Sequence, residues 1–472
     1  MKGAAVRAAI RKNRIDDLDE ALKRLKTKIN LEQNKRDQLT ALPNPIQKTN
    51  CRGTTRYGNP WSSWRHFHSR EKVSALIRWK FDSCCTRSSD GILPNEDKLT
   101  RDLPILPKEE ILKNIETVPG NDQVRATWLG HASVLLQFEG ANILCDPVFS
   151  ETVGPTKSLL KRLAFKRYRS APLQVQDLPQ IDAVVISHDH HDHLDEASIR
   201  EMILKFPNIK WFLPKGLKEW MEKTIAKTVN EAPHGESVLH YADRVVELGW
   251  WEKSTFVVPN QDKQLVFTFT PSQHWGGRSP CSMNTVLWGS WVISLENLNV
   301  WFGGDTGYCK VFKQIGELFG RIDLAAIPIG AYLPRDVMKD QHVEPTESIM
   351  IHKDLKARQS IAIHWGTFNT GASEGYMDPK NDLKKGLRDA GVYPEDFVTL
   401  DHGESITVDA PNVSEQDDLN FRDSDVQDLD MSSVSTMTIP NSRRTSVDAS
   451  AGTSISIYFL APSSNCSIRS AI

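Results

Sequence analysis

The sequence predicts an α/β fold for residues 121–408, where short hydrophobic strands alternate with segments of helical periodicity. Two hydrophobic runs within 126–145 flank a Glu-Gly turn, which indicates a β-hairpin at the start of this region. Several later strands are each followed by a histidine or an aspartate. Apolar residues at helical spacing predict helices at 196–205, 214–226, 311–319, 345–355 and 380–390. We therefore expect one large domain with appendages.

The composition argues against several classes of protein. The chain has 472 residues and a formal net charge of −2, so no nucleic-acid partner is expected. No apolar run approaches the length of a transmembrane helix, and we expect no signal peptide. The 7 cysteines are scattered and form no C-x-x-C pair. This pattern favours a location on the reducing, cytosolic side of the membrane. We therefore expect no metal site with thiolate ligands.

Three regions outside the predicted domain differ from it in composition. Residues 1–50 are highly charged, and their heptad-like apolar spacing predicts a helical extension that docks on the body, pairs with a partner, lies on a membrane or is simply solvated. Residues 51–120 contain several prolines and tryptophans, and we expect an extended arm packed on the body. Residues 409–472 are rich in Ser and Asp without sustained periodicity, so a disordered tail is expected.

The most informative stretch is a cluster of polar residues at 188–195, directly after a predicted strand at 183–186. It holds four imidazoles and three carboxylates. Groups crowded in this way repel one another or stay unsatisfied unless a cation gathers them. Imidazole nitrogen and carboxylate oxygen suit zinc and its neighbours, and the lack of thiolates is typical of catalytic zinc. A solvated loop explains any one histidine, whereas metal ligation explains the whole H-x-H-x-D-H arrangement.

Three further polar residues stand at the ends of predicted strands. His274 follows the strand 266–270, Asp305 follows 300–304, and His364 follows 360–363. Each of them alone is more often an ordinary loop residue. Because strand ends that converge on one face build the metal sites of sheet enzymes, we expect the three to complete the ligand set.

These motifs resemble the metallo-β-lactamase superfamily and, within it, the N-acyl-phosphatidylethanolamine-hydrolysing phospholipases D. The resemblance runs from about Tyr57 to about Val408 and covers neither terminus. It implies two mixed β-sheets that face each other, with helices outside, in an αββα four-layer sandwich. The motifs that carry it are Thr127–Val134, Thr270–Trp275, Leu287–Trp291, Gly303–Cys309, Leu324–Tyr332, Gln341–Val343, Ala362–Phe368 and His402–Ser405.

The resemblance also implies a ligand set for two zinc ions per chain. One ion is expected on His188, His190 and His274. The other is expected on Asp192, His193 and His364, and Asp305 bridges both. Two zinc ions about 3.5–4 Å apart suit the hydrolysis of a phosphodiester.

Several nearby residues receive other roles. Asp305 is expected to accept a proton from the attacking water. His342 matches the family position that contacts the phosphate. The alternative for His342 is an ordinary surface histidine. Asp146 and Asp195 are candidates to orient ligating imidazoles. We do not expect His191 to be a ligand. The last candidate, His131, lies near the site or merely packs in the core.

The apolar face of one predicted helix bears on the substrate. Its apolar residues alternate with lysines, which suits contact with a lipid interface, although packing in the core gives the same periodicity. With the resemblance, we expect membrane contact through Leu217, Trp220, Met221 and Ile225. Residues 151–170 and 226–243 depart from the family pattern and leave the acyl-chain or headgroup preference open.

The expected function is that of a zinc-dependent phospholipase D-type hydrolase that converts N-acyl-phosphatidylethanolamine into N-acylethanolamine and phosphatidic acid. It would act peripherally, at the cytoplasmic face of intracellular membranes. Its expected partners are the phospholipid substrate and the membrane surface, and a homodimer is left open. One alternative is a lactonase or phosphodiesterase of the same superfamily that acts on a soluble metabolite. A non-catalytic membrane scaffold is the alternative of another class, but a scaffold has no need of this ligand set.

Overall fold

The computed structural model describes residues 42–50, 53–65, 74, 94–138, 140–154, 164–232, 242–259, 262–296, 298–370 and 372–410. The predicted N-terminal helix lies outside these residues, and so does nearly all of the predicted C-terminal tail. Within them the chain forms two seven-stranded sheets and two small hairpins. The hairpins are β1 (Ile46–Thr49) with β2 (Thr55–Gly58), and β6 (Thr152–Val153) with β7 (Phe165–Lys166).

The first large sheet is antiparallel on one side and parallel on the other. Its strand order is β10-β9-β8-β5-β4-β3-β18, with antiparallel pairing from β18 to β5 and parallel pairing from β5 to β10. The strands are β3 (Gln123–Trp128), β4 (Val134–Phe138), β5 (Ala141–Cys145), β8 (Ala183–Val185), β9 (Lys210–Pro214), β10 (Val245–Leu248) and β18 (Ser405–Asp409).

The second large sheet repeats this arrangement. Its order is β11-β12-β13-β14-β15-β16-β17, antiparallel as far as β14 and parallel beyond it. The strands are β11 (Lys253–Val257), β12 (Gln264–Thr270), β13 (Ser290–Leu295), β14 (Leu298–Phe302), β15 (Ile322–Pro328), β16 (Ala357–Ile363) and β17 (Phe397–Val398).

Four of the five predicted helices agree closely with the observed ones, and one differs at both ends. The predicted helices at 196–205 and 311–319 have the observed bounds, whereas the helix predicted at 214–226 begins at Lys218 and ends at Glu231. No helix among the described residues is both long and apolar enough to cross a bilayer. The helices are α1 (Glu96–Asp102), α2 (Lys108–Glu116), α3 (Glu196–Lys205), α4 (Lys218–Glu231), α5 (Val311–Phe319), α6 (Arg335–Met338), α7 (Pro345–Asp354) and α8 (Asp378–Ala390).

The main core lies between the inner faces of the two sheets. Phe212 on β9 stacks on Phe267 of β12 with ring centroids 4.0 Å apart, and both side chains are fully buried. Trp291 on β13 reaches across, and its indole Nε1 donates to the Ile186 carbonyl at 2.9 Å. A second cluster packs α3 and α4 on the outer face of the first sheet. The prediction of two facing mixed sheets covered by helices is confirmed.

The prediction that the apolar face of α4 contacts a membrane is wrong. Leu217, Met221 and Ile225 are at most 1% exposed and pack in the cluster beneath α3 and α4. Trp220 is partly buried against the same cluster and lies under the Arg278 guanidinium. The apolar stripe therefore covers the sheet, which is the alternative that periodicity alone left open.

Within each sheet, the strands that precede the residues of interest run in one direction. In the first sheet β3, β5 and β8 are parallel to one another, and in the second sheet β12, β14 and β16 are. Their carboxyl ends therefore meet at the same edge of the sandwich. The loops that leave this edge bring together residues distant in the sequence.

Candidate metal centre

The predicted ligands converge at this edge in two groups. In the first group His188 and His190 follow β8, and His274 follows β12. His188 Nε2 lies 2.8 Å from His190 Nδ1, which lies 3.2 Å from His274 Nε2. With Asp305, these side chains can present ligand atoms that all lie within 4.8 Å of one another. This spacing suits three nitrogens around a single cation.

The second group contains Asp192, His193 and His364. Asp192 Oδ2 lies 3.8 Å from His193 Nε2 and 3.7 Å from His364 Nε2. His364 directly follows β16 and has a positive φ of 61°. Its amide donates to the carbonyl of His131 at 2.8 Å, which ties the ends of β16 and β3 together. The two sheets thus both contribute to this group.

Asp305 lies between the two groups. Its Oδ2 is 3.8 Å from His188 Nε2 and 3.7 Å from His274 Nε2 on one side. On the other side Oδ2 is 3.2 Å from His193 Nε2, and Oδ1 is 3.1 Å from His364 Nε2. The turn before it requires glycine, because at Gly304 (φ 56°) a Cβ would lie 2.5 Å from the Ser187 Cβ. A carboxylate in this position can serve two cations at once.

Several of these atoms fit a metal better than a hydrogen bond. Asp305 Oδ1, His193 Nε2 and His364 Nε2 are buried and have no hydrogen-bond partner of ordinary geometry within the described ranges. Buried polar atoms left in this way cost free energy unless another group compensates them. Imidazole and carboxylate without thiolate suit zinc, iron or manganese. The donor set therefore fits a metal ion in each group.

The electrostatics of the cluster also favour positive charge. Burial lowers the pKa of His190 to about 4 and that of His274 to about 3, which leaves both neutral and able to ligate. Burial also lowers the pKa of His193, but Asp305 and Asp192 outweigh it and raise the pKa well above its ordinary value. Without a metal the carboxylates draw a proton into the cluster, and a cation would replace it.

Asp146 orients a histidine of the second group, as predicted, but Asp195 does not. Asp146 follows β5, is fully buried and accepts from His193 Nδ1 at 2.7 Å. It also accepts from the amide and hydroxyl of Ser187, at 2.7 and 2.5 Å. Asp195 instead caps α3, where its carboxylate accepts from the Ser198 and Ser150 hydroxyls at 2.6 Å each. A carboxylate at a helix start stabilises the helix.

Sequence reasoning left the role of His131 open, and the structure places it beside the second group. Its Nε2 lies 3.0 Å from Asp192 Oδ2, and its ring is 4.1 Å from the ring of His364. Burial lowers the pKa of His131 to about 3, so the neutral ring donates Nε2–H to the Asp192 carboxylate. The backbone of His131 has a positive φ of 53°, which is uncommon for a residue other than glycine. The sequence alone does not reveal this conformation, so it could not place His131 at the site. His131 therefore orients Asp192.

His342 lies beside the cluster, within reach of both groups. Its Nδ1 is buried without a hydrogen-bond partner in the part of the chain that the structure describes, 3.9 Å from Asp305 Oδ2. Its ring is 5.4 Å from the rings of both His274 and His364. His191, by contrast, is half-buried and belongs to neither group, in agreement with its omission from the expected ligands.

Part of the predicted arm, residues 53–65, braces the loops that carry His274 and His342. Asn59 Nδ2 donates to the His274 carbonyl at 2.7 Å. Arg65 Nε contacts both carboxylate oxygens of Asp340, at 3.0 and 3.1 Å, two residues before His342. Asp340 is only 3% exposed. The loops are also joined directly, because His274 Nδ1 donates to the Gln341 carbonyl at 2.9 Å.

Replacing Arg65 with Ala is expected to lower kcat roughly tenfold with little change in metal content, because small displacements of a reacting group are costly. If Arg65 acts by positioning His342, its effect should largely disappear in the His342→Ala background. Arg56→Ala is the control, since Arg56 donates to the Met283 and Cys281 carbonyls away from His342. Equal losses from Arg65→Ala in both backgrounds would contradict this positioning role.

Comparison with known proteins identifies a family model and several relatives of this chain. Residues 141–365 match the family model described as the beta-lactamase superfamily domain, which confirms the predicted fold class. N-acyl-phosphatidylethanolamine-hydrolyzing phospholipase D 1 of Caenorhabditis elegans is 43% identical over 282 residues, which span 59% of this chain and 74% of that protein. The mitochondrial N-acyl-phosphatidylethanolamine-hydrolyzing phospholipase D of Saccharomyces cerevisiae is 34% identical over 277 residues, 57% of this chain and 54% of that protein.

Solved structures give more distant similarities. The metallo hydrolase Igni18 of Ignicoccus hospitalis is 19% identical with a TM-score of 0.40, and the match covers 60% of this chain and 98% of that one. The metallo-beta-lactamase fold protein YhfI of Bacillus subtilis is 17% identical with a TM-score of 0.40, covering 61% of this chain and all (100%) of that one.

Proposed function

The chain belongs to the family of N-acyl-phosphatidylethanolamine-hydrolysing phospholipases D, and from this premise we propose how it acts. It is a metal-dependent hydrolase that cleaves N-acyl-phosphatidylethanolamine to N-acylethanolamine and phosphatidic acid. One observation carries the proposal: Asp305 lies within 3.8 Å of imidazole nitrogens from both groups of histidines. Such a carboxylate is the central element of a site for two cations, and two cations suit phosphodiester hydrolysis.

We propose two zinc ions as the cofactor. His188, His190 and His274 would hold one, Asp192, His193 and His364 the other, and Asp305 both. When bound, the metals lower the pKa of water and neutralise charge on the reacting phosphate. The buried donors without partners support this assignment. The unused nitrogen of His193 is fixed by Asp146, which is how many metal sites hold a ligand imidazole in one orientation.

In the reaction a water oxygen bonds to phosphorus, the bond from phosphorus to the N-acylethanolamine oxygen breaks, and the proton lost by the water ends on that leaving oxygen. Burial raises the pKa of Asp305, but His193 and His364 outweigh it and hold the net pKa well below its ordinary value. Its carboxylate is therefore ionised, and we propose that it takes the proton of the water during the attack and passes it to the leaving oxygen. Burial lowers the pKa of His342 to about 3, so the neutral ring donates one N–H, and we assign that bond to an oxygen of the reacting phosphate.

Because the substrate resides in a bilayer, we further propose peripheral contact with a membrane, at the cytoplasmic face. The helix α4 does not supply the contact surface, since Leu217, Met221 and Ile225 are buried and Trp220 packs against the same cluster. Sedimentation with phosphatidylcholine vesicles, with and without N-acyl-phosphatidylethanolamine, tests this contact. Protein that stays in the supernatant with both kinds of vesicle would contradict it.

Product analysis with and without metal tests the proposed function. Purified protein is given N-acyl-phosphatidylethanolamine in mixed micelles, as isolated, after chelation and after zinc is restored. We expect N-acylethanolamine and phosphatidic acid from the first and third samples, and a loss of at least about 100-fold in the second. Full activity in the chelated sample, or intact lipid in the zinc-loaded sample, would contradict the proposal.

A further inference from the structure

A cleft opens beside the metal centre, on the side of the second group. His131 and His364 are among the residues that line it, and its space of about 380 Å³ includes the part that is open to solvent. Polar groups of Asn369 and Glu374 also line it. Four aromatic rings form much of the remaining wall, those of Tyr168, Trp365, Phe368 and Tyr376.

We propose that this cleft binds the N-acylethanolamine arm of the substrate and that the Tyr168 hydroxyl donates a hydrogen bond to its amide carbonyl. Tyr168 would then determine specificity for an N-acylated headgroup. The inference rests on the proposed function, because it presumes that the reacting phosphate lies against His364.

The chemistry of the residues that line the cleft favours one of the two arms of the phosphodiester. The diacylglycerol arm carries two long chains, which need a wide apolar surface. The ethanolamide arm begins with two methylenes and a planar amide, which fits between aromatic rings and needs polar partners. The Glu374 carboxylate is committed elsewhere, since it accepts from the amides of Tyr332 and Leu333 at 3.0 and 2.9 Å. It holds the outer loop of the cleft in place.

Tyr168 offers the donor that an amide carbonyl requires. Its hydroxyl has no hydrogen-bond partner among the described residues, whereas the hydroxyl of Tyr376 donates to Asp102 Oδ2 at 2.5 Å. The backbone of Tyr168 is fixed, because its amide donates to the Thr367 carbonyl at 2.8 Å. Burial raises the pKa of Tyr168 to about 12, so the hydroxyl keeps its proton at neutral pH. A site built to hydrogen-bond one group discriminates against analogues that lack it.

Two lipids that differ only in the headgroup test the inference. One is N-acyl-phosphatidylethanolamine, and the other is a phosphatidylalkanol whose unbranched alkyl headgroup has the same length and no amide. Tyr168→Phe is expected to lower kcat/KM roughly five- to tenfold for the first lipid and little for the second. Tyr376→Phe removes a hydroxyl from the same cleft and should leave the ratio of the two kcat/KM values unchanged. Calorimetry with N-acylethanolamine should show weaker product binding to Tyr168→Phe only.

The outcomes separate this inference from the proposed function. If the wild-type protein cleaves neither lipid, the proposed function is overturned and this inference falls with it. If it cleaves N-acyl-phosphatidylethanolamine but Tyr168→Phe lowers kcat/KM equally for both lipids, or for neither, the proposed function survives and the role of Tyr168 is overturned. A change in the ratio with Tyr376→Phe as large as that with Tyr168→Phe would also overturn it.

Discussion

Replacing Asp305 with Asn is expected to lower turnover by roughly 10³-fold or more while the protein stays folded. The amide has one oxygen in place of two and carries no charge, so it cannot serve His188 and His274 on one side and His193 and His364 on the other. It also cannot accept a proton. Steady-state assays on N-acyl-phosphatidylethanolamine, with metal analysis and a thermal melt of the same sample, measure the effect.

Asp323→Asn provides the matched control for this change. Asp323 is also buried in the second sheet, but at the amino end of β15, where it pairs with Arg321 at 2.8 Å and accepts from the Asn299 amide at 2.9 Å. The same chemical change there is expected to lower stability and leave kcat near the wild-type value. Near-normal turnover by Asp305→Asn with full metal occupancy would refute the bridging role.

Asp146→Ala is expected to weaken metal binding in the second group roughly 10- to 100-fold and to lower the free energy of unfolding by about 2–4 kcal/mol. The substitution removes the acceptor of His193 Nδ1 and of two donors of Ser187, all of them buried. The freed imidazole can then rotate away from its ligating orientation. Competition with a chromophoric chelator measures the affinity, and urea unfolding measures the stability.

Asp195→Ala is the control for Asp146→Ala, because it is expected to change stability but not metal affinity. Asp195 lies in the histidine-rich stretch 188–195 but caps α3, so its loss is expected to cost about 1 kcal/mol of stability without changing metal affinity. If Asp195→Ala releases metal as readily as Asp146→Ala, the orienting role of Asp146 is not specific.

The convergence of the expected ligands at one edge of the sandwich was predictable from the sequence because its signals are local. His188 and its neighbours share one motif, and His274, Asp305 and His364 each follow a hydrophobic strand. Parallel strand direction then brings these ends to one edge of the sandwich. The starts and ends of α3 and α5 were predictable for the same reason, since capping and periodicity are encoded within a few residues.

The remaining features depend on tertiary contacts that periodicity does not contain. The apolar stripe of α4 matches a membrane face and a buried face equally well, and only the sheet beneath it decides between them. Asp146 and Asp195 are both carboxylates near the motif, yet one contacts an imidazole and the other a helix start. The bracing of Asp340 by Arg65 joins residues far apart in the sequence, so no local pattern predicts it.

Hydrolysis in ¹⁸O-labelled water tests the central chemistry most directly, because it reports which bond breaks and which atom the water attacks. The zinc-loaded protein converts N-acyl-phosphatidylethanolamine in labelled water, and mass spectrometry locates the label in each product. We expect one ¹⁸O atom in the phosphate of phosphatidic acid and none in N-acylethanolamine. Label in N-acylethanolamine, or diacylglycerol as the lipid product, would contradict attack at phosphorus with an N-acylethanolamine leaving group.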